Sequence, residues 1–202
     1  MFGVGMETAL NQPLSRKAET RRRIVDAASR LFMEKGVDRV GVDEIMRECG
    51  LTHGGFYVHL ENKDALISEA CACSLENSAE HWEGLTARIT DDGLWQEFMT
   101  AYQSGDLDAN PACPAAILGP DVSRRPPEVQ AAYIAKLRRL IDVVADDSGA
   151  DRSHAILSFA ALVGATALAS SVGEDTDLAA DILNTTRQEL LKRRPDNARK
   201  TN

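Results

Sequence analysis

Long hydrophobic runs are missing from this 202-residue chain. Crossing a bilayer as a helix takes roughly 18 or more consecutive apolar residues. The most apolar stretch, Ala155 to Ala169, is interrupted by Ser158, Gly164 and Thr166, so no membrane partner is expected. Cysteine is scarce as well: Cys49, Cys71, Cys73 and Cys113 show no framework spacing and follow no secretory leader, which points to reduced thiols in a cytoplasmic protein. Cys-x-x-Cys, His-Glu-x-x-His, phosphate-loop and nucleophile-elbow motifs are all absent. Cys71 and Cys73, two apart on a helix, point about 200° away from each other and cannot chelate one ion together. No metal, no cofactor and no enzymatic activity are expected, a pair of Cys113 with His81 or His154 being the one assembly left for nucleophilic chemistry. Alternating runs of the strand type, internal repeats and low-complexity segments are missing too, which leaves an all-α chain.

Positive charge is in deficit overall, at a formal net charge of -8, and a polyanion repels an acidic protein. The distribution of charge lifts that objection for one region. Residues 14–66 hold 10 Lys and Arg against 9 Asp and Glu, whereas residues 67–202 hold 13 against 21. Arg16, Lys17, Arg21, Arg22 and Arg23, opposed only by Glu19, sit at the leading edge of the first region, either as a solvated helix start or as contacts to phosphate.

Helical periodicity fills that region. Ile24, Ala27, Ala28, Leu31 and Phe32 recur at the spacing of one helix face, and Gly36 is a natural stop. Val42, Ile45, Met46 and Cys49 repeat the pattern, with Gly41 at a cap position, Gly50 at the end and Leu51 placed to pack back. Thr52 is positioned to cap a third helix with its hydroxyl, and Asn62 a fourth, in which Leu66, Ile67 and Ala70 continue an apolar face. Two short helices joined by so tight a turn form a helix-turn-helix.

The third helix opens on His53, Gly54 and Gly55, although two glycines in a helix cost roughly 1 kcal/mol apiece relative to alanine. The second helix of such a motif brings its first turn nearest the base edges, and missing side chains there let the backbone approach DNA closely. Tyr57, one turn on, offers a rigid ring and a hydroxyl suited to phosphate, while Phe56 is expected to turn inward. The alternative is that the glycines merely relieve crowding between helices and that Tyr57 covers the core.

The run "TRRRIVDAASRLFMEKGVDRVGVDEIMRECGLTHGGFYVHLENKDALISEA", Thr20 to Ala70, resembles the DNA-binding domain of the TetR family of transcriptional repressors. The resemblance implies that His53, Gly54, Gly55, Tyr57 and His59 lie on or beside the recognition helix and that Lys63 meets phosphate. Arg22, Arg47 and Thr52 complete the set of DNA-binding candidates, with Val42 a further neighbour. Gly41 and Gly55 depart from the family's usual small hydroxyl residues, so base readout by side chains should be sparse and supplemented by DNA shape. The implied partners are double-stranded DNA carrying a palindromic operator, a small-molecule effector and a second copy of the chain.

The remainder reads as about five further helices, broken at Gly84, Asp91 to Gly93, Ser104 to Pro114, Gly119 to Pro127, Asp146 to Asp151 and Gly173 to Thr176. The expected organisation is a tail over 1–13, a helix-turn-helix domain over 14–66, a helical effector-binding and dimerisation domain over 67–194 and a tail over 195–202, about nine helices in all. A helix near Arg152 to Val172 is crowded with small residues and apolar on more than one side, so it needs cover from more than one neighbour, either from a second subunit or as the central helix of a monomeric core. The family resemblance makes this helix and the next, Asp177 to Arg194, the dimer-forming pair, with Leu157, Ala161, Gly164, Ala165, Leu168 and Ile182 as interface candidates. Cys113 to Val144 also looks like the effector-domain pattern of TetR-like regulators. Trp82, Trp95, Phe98, Met99, Tyr102, Ile117 and Tyr133 are candidate pocket walls, though most suit ordinary core filling equally well. Cys113 follows a loop where its thiol could meet oxidants or electrophiles, which gives a thiol-sensing alternative; a buried small apolar residue is the plainer reading.

Overall fold

The computed structural model describes residues 15–86, 113–148, 152–173 and 176–192. Among them are eight α-helices, no strand, and one 3-10 turn over Val37–Arg39. The helices are α1 Arg16–Lys35, α2 Val42–Glu48, α3 His53–His59, α4 Lys63–Thr86, α5 Pro114–Val122, α6 Pro127–Ser148, α7 Arg152–Ser171 and α8 Thr176–Lys192. The expected tails over 1–13 and 195–202, and the breaks at Asp91 to Gly93 and in residues 104–112, lie outside the described residues.

Each boundary in the N-terminal part has a local cause. The Ser15 hydroxyl accepts from the Ala18 amide at the start of α1. Gly36 ends α1 at φ 82°, donating its amide to the Phe32 carbonyl. Gly50, at φ 67°, ends α2 in a Schellman turn: its amide donates to the Arg47 carbonyl and the Leu51 amide to the Met46 carbonyl. Asn62 caps α4 through a 2.8 Å bond accepted from the Ala65 amide. Thr52 stands at the cap position of α3, but its side chain makes no capping bond, contrary to expectation. The Gly55 amide instead donates to the Thr52 carbonyl, so the backbone satisfies that donor.

One apolar cluster runs through the described residues, from Ile24, Phe32, Ile45, Met46 and Phe56 to Leu75, Leu118, Leu140 and Leu162. α4 is its spine, packing on α1 at one end and along α6 at the other, and it runs unbroken across the expected boundary at residues 66 and 67. The break expected at Gly84 does not occur: that glycine is exposed inside α4, where it costs only the modest loss of helix propensity. Likewise α5 carries Gly119 and Pro120 within it and ends at Val122. Despite its interruptions, α7 is long and apolar enough on average to cross a membrane by length and composition alone, which corrects the expectation drawn from them. Here it packs on α5, α6 and α8.

A polar bridge joins α5 to the N-terminal helices. The Asp121 carboxylate accepts from the Val37 amide at 2.9 Å and pairs with Arg124 at 2.7 Å, while Arg125 pairs with Asp38 and reaches toward Asp64. An added Cβ at Gly36 would lie 3.6 Å from the same Asp121 oxygen.

Candidate nucleic-acid interface

α2 and α3 present the candidate surface, and its inner side fixes its outer side. Phe56 is fully buried, which turns the neighbouring Tyr57 outward at 64% exposure. Tyr57 is braced by edge-on rings, Phe56 at a centroid distance of 5.2 Å and His53 at 5.9 Å. The first turn of α3 is bare. A Cβ on Gly54 would meet nothing within 4 Å, and one on Gly55 would make only ordinary contacts at 3.7 Å with Met46 and Thr52. Neither glycine has positive φ. Crowding between helices and backbone strain therefore leave Gly54 unexplained.

That bareness leads to a prediction with two opposite signs. Gly54→Ala should raise the melting temperature, since alanine gains up to about 1 kcal/mol of helix propensity at an unobstructed site. The same change should weaken DNA binding by roughly tenfold or more, because the methyl group stands where backbone would meet DNA. A variant both more stable and fully competent in DNA binding would remove the close-approach explanation.

The basic candidates divide in a way their sequence positions do not reveal. Arg21 is drawn into the α1–α4 junction, paired with Glu69 and donating to the His59 carbonyl. Arg23 donates to the Cys49 carbonyl at the end of α2, 2.8 Å away. Arg22 remains exposed with a loose 3.8 Å pair to Asp26, and Arg16, Lys17 and Arg47 are exposed too. Lys63 is half-buried, its Nζ 3.4 Å from the Val37 carbonyl, so phosphate contact would require the side chain to swing out. His59 is also half-buried, and its Nδ1 is enclosed with no hydrogen-bond partner. Thr52 and His53 are exposed beside the two glycines. Sequence reasoning missed Asp43, whose carboxylate takes the hydrogen bond from His53 Nδ1; an acidic residue in the first turn of α2 gave only a signal for helix capping.

Of the ligand candidates, Trp82, Cys113 and Tyr133 are buried in the shared core and Ile117 packs against it. Trp95, Phe98, Met99 and Tyr102 lie outside the described residues. The Tyr133 hydroxyl reaches the Ala115 carbonyl at 3.5 Å, and burial pushes its phenol well above the usual range. Cys113 sits at the head of α5 and is 7% exposed. Burial pushes the Cys71 thiol up to about 12 and raises those of Cys49 and Cys73, the opposite of what a reactive thiolate requires. Among the described residues no group of His, Cys, Asp and Glu is arranged to hold a metal ion.

The dimer candidates also separate. Leu157, Ala161, Gly164 and Leu168 form one stripe along α7, with Leu157 at 53% and Leu168 at 57% exposure. Ala165 belongs instead to the adjoining buried stripe of Ala155, Ser158 and Leu162 and is 5% exposed, inside the core of its own chain. Ile182 on α8 is half-buried.

A profile of the family described as bacterial regulatory proteins, tetR family, matches residues 24–70. The HTH-type transcriptional regulator AcrR of Shigella flexneri is 40% identical over 76 residues, 38% of this chain and 35% of that protein. The uncharacterized HTH-type transcriptional regulator YerO of Bacillus subtilis (strain 168) is 42% identical over 53 residues, 26% of this chain and 18% of that protein. The chain thus spans about a third or less of the length of these curated relatives, with the likeness concentrated in one segment. A solved TetR-family transcriptional regulator from Agrobacterium tumefaciens superposes with a TM-score of 0.74 over 90% of this chain and 100% of its own, at 17% identity, a likeness of fold.

Proposed function

We propose that this chain, whose residues 24–70 match the tetR family of bacterial regulatory proteins, is a DNA-binding transcriptional repressor that grips a palindromic operator as a homodimer and releases it when a small molecule binds. The observation that carries this reading is the bare first turn of α3, flanked by exposed His53 and Tyr57 and backed by buried Phe56. A helix end of that shape admits DNA backbone and base edges, and no packing demand accounts for it. The exposed stripe on α7 supplies a face for a second copy. Release follows if the effector prefers a state in which the two recognition helices have the wrong separation.

The effector reading rests on the family likeness of residues 24–70 and on the aromatic candidates of the middle helices. The thiol-sensing alternative needs an attackable sulfur, and the burial of Cys113 counts against it. A reversible ligand would release DNA from wild type and from Cys113→Ser alike. A thiol signal would leave an adduct on Cys113, visible by intact mass and absent from the serine variant.

The test of the DNA-binding reading is selection of duplexes from a randomised pool, followed by titration at several salt concentrations. Enriched sites should be two-fold symmetric, with half-sites about 34 to 36 Å apart or a multiple of that spacing. Tyr57→Phe should weaken all sequences alike by several-fold, since its hydroxyl is assigned to phosphate. Lys63→Ala should do the same and should flatten the salt dependence by about one unit of log-log slope. A salt slope unchanged by Lys63→Ala would mean that the lysine stays on the Val37 carbonyl when DNA is bound.

A further inference from the structure

His53 is the first residue of α3, and two neighbours hold its ring. Asp43, from the first turn of α2, accepts the hydrogen bond of Nδ1 through Oδ1, and the Tyr57 ring stands edge-on at 5.9 Å and 63°. Both members of the polar pair are exposed, with side-chain exposure of 53% for His53 and 79% for Asp43. A surface pair of this kind adds little to stability. Its consequence lies in the ring's outward edge.

A carboxylate only accepts hydrogen bonds, so the proton of the imidazole is held on Nδ1 and the lone pair is left on Nε2. In the major groove an acceptor finds partners only at the amino groups, N6 of adenine and N4 of cytosine; guanine offers N7 and O6, both acceptors, and thymine O4 and a methyl group. We infer that Asp43 is a specificity-determining residue: by fixing the tautomer of His53 it makes this position of the operator read for an amino-bearing base and against guanine. Asp43 acts through His53 and is a positioning residue. The inference rests on the proposal that α3 enters the major groove.

The experiment uses the full chain and operator duplexes selected from a randomised pool. His53→Ala first identifies the base pair at which discrimination is lost. At that pair, wild type should favour adenine or cytosine over guanine by roughly tenfold, the size of one hydrogen bond to a base edge. Asp43→Asn is the decisive variant, because its amide can donate to Nδ1 and so move the ring proton to Nε2, turning an acceptor into a donor. The preference should collapse or turn toward guanine. Asp43→Ala, which frees the ring, should flatten it. Both variants should also bind non-cognate DNA more tightly, as a negative charge leaves the surface facing phosphate; the base preference is a ratio, and a merely structural role would not move it. A wild-type preference for guanine at this pair, as a doubly protonated ring would give, overturns the inference, and so does a ratio unchanged by Asp43→Asn. If the pool yields no enriched duplex, the DNA-binding proposal fails and this inference with it. If duplexes are enriched but His53→Ala alters no position, the inference alone fails.

Discussion

A chain carrying Leu157→Glu and Leu168→Glu should remain a folded helical protein, sediment as a monomer and lose tight operator binding. The two leucines lie three turns apart on one stripe of α7, more than half exposed, with only Ala161 and Gly164 between them. A Cβ on Gly164 would meet nothing within 4 Å, so another helix can come close over this face. Two carboxylates placed there stay solvated in the monomer, which leaves folding intact, whereas in an assembled pair they would be desolvated against apolar surface. Half-sites held by one dimer bind with an effective concentration that monomers lack, so operator affinity should fall by about 10²- to 10⁴-fold. Ala165→Glu is the informative control: at 5% exposure it would drive an unpaired charge into the core and should unfold the chain. Sedimentation velocity and circular dichroism separate the two outcomes. A monomeric wild type at micromolar concentration, or a dimeric double variant, would remove the proposed interface.

The second large effect is expected at Asp121. Asp121→Ala deprives the buried Val37 amide of its acceptor, and an orphaned buried donor costs about 1–3 kcal/mol. For a chain of this size the melting temperature should drop by roughly 2–12 °C. The loss is directional, because the bond joins α5 to the turn just after α1. Hydrogen exchange should therefore accelerate at Val37 and its neighbours well before it does in α6 or α7. Asp121→Asn keeps a neutral acceptor of the same shape and should recover most of the protection. Unchanged exchange at Val37 in the alanine variant would mean that the bridge does not secure the junction.

What the sequence made legible was local. Gly36 and Gly50 stop their helices at positive φ, Asn62 caps α4, and the apolar period of α1 predicts its buried face, because each depends on residues within a turn or two. Thr52 shows the limit of that reasoning, since a cap-competent hydroxyl is not used when the backbone carbonyl satisfies the same turn. Contacts between distant residues were not legible. Arg21 and Arg23 read as free positive charge, yet they are tied to Glu69 and to the Cys49 carbonyl. Asp121 reaches Val37 across 84 positions that carry no periodic signal. On α7 small residues occur on every side, so composition could not tell the face of Ala165 from that of Gly164. The pairing of Asp43 with His53 was hidden for the same reason: it spans the turn between two helices, and neither residue's type demands the other.

Ser29 on α1 and Ser74 on α4 share a 2.6 Å hydrogen bond in the buried part of the α1–α4 contact. Ser74 also donates to the Ala70 carbonyl of its own helix, so the pair has a settled direction: Ser29 gives the proton and Ser74 receives it. Such a bond acts as a register pin. Sliding α1 along α4 by one turn, about 5.4 Å, would strand the Ser29 hydroxyl among apolar side chains with no water to replace its partner. Rotation about the pin leaves the bond intact. In the proposed dimer, relative motion of the first three helices would then be a swing about this point midway along α4 rather than a slide, and a swing would change the spacing of two recognition helices far more.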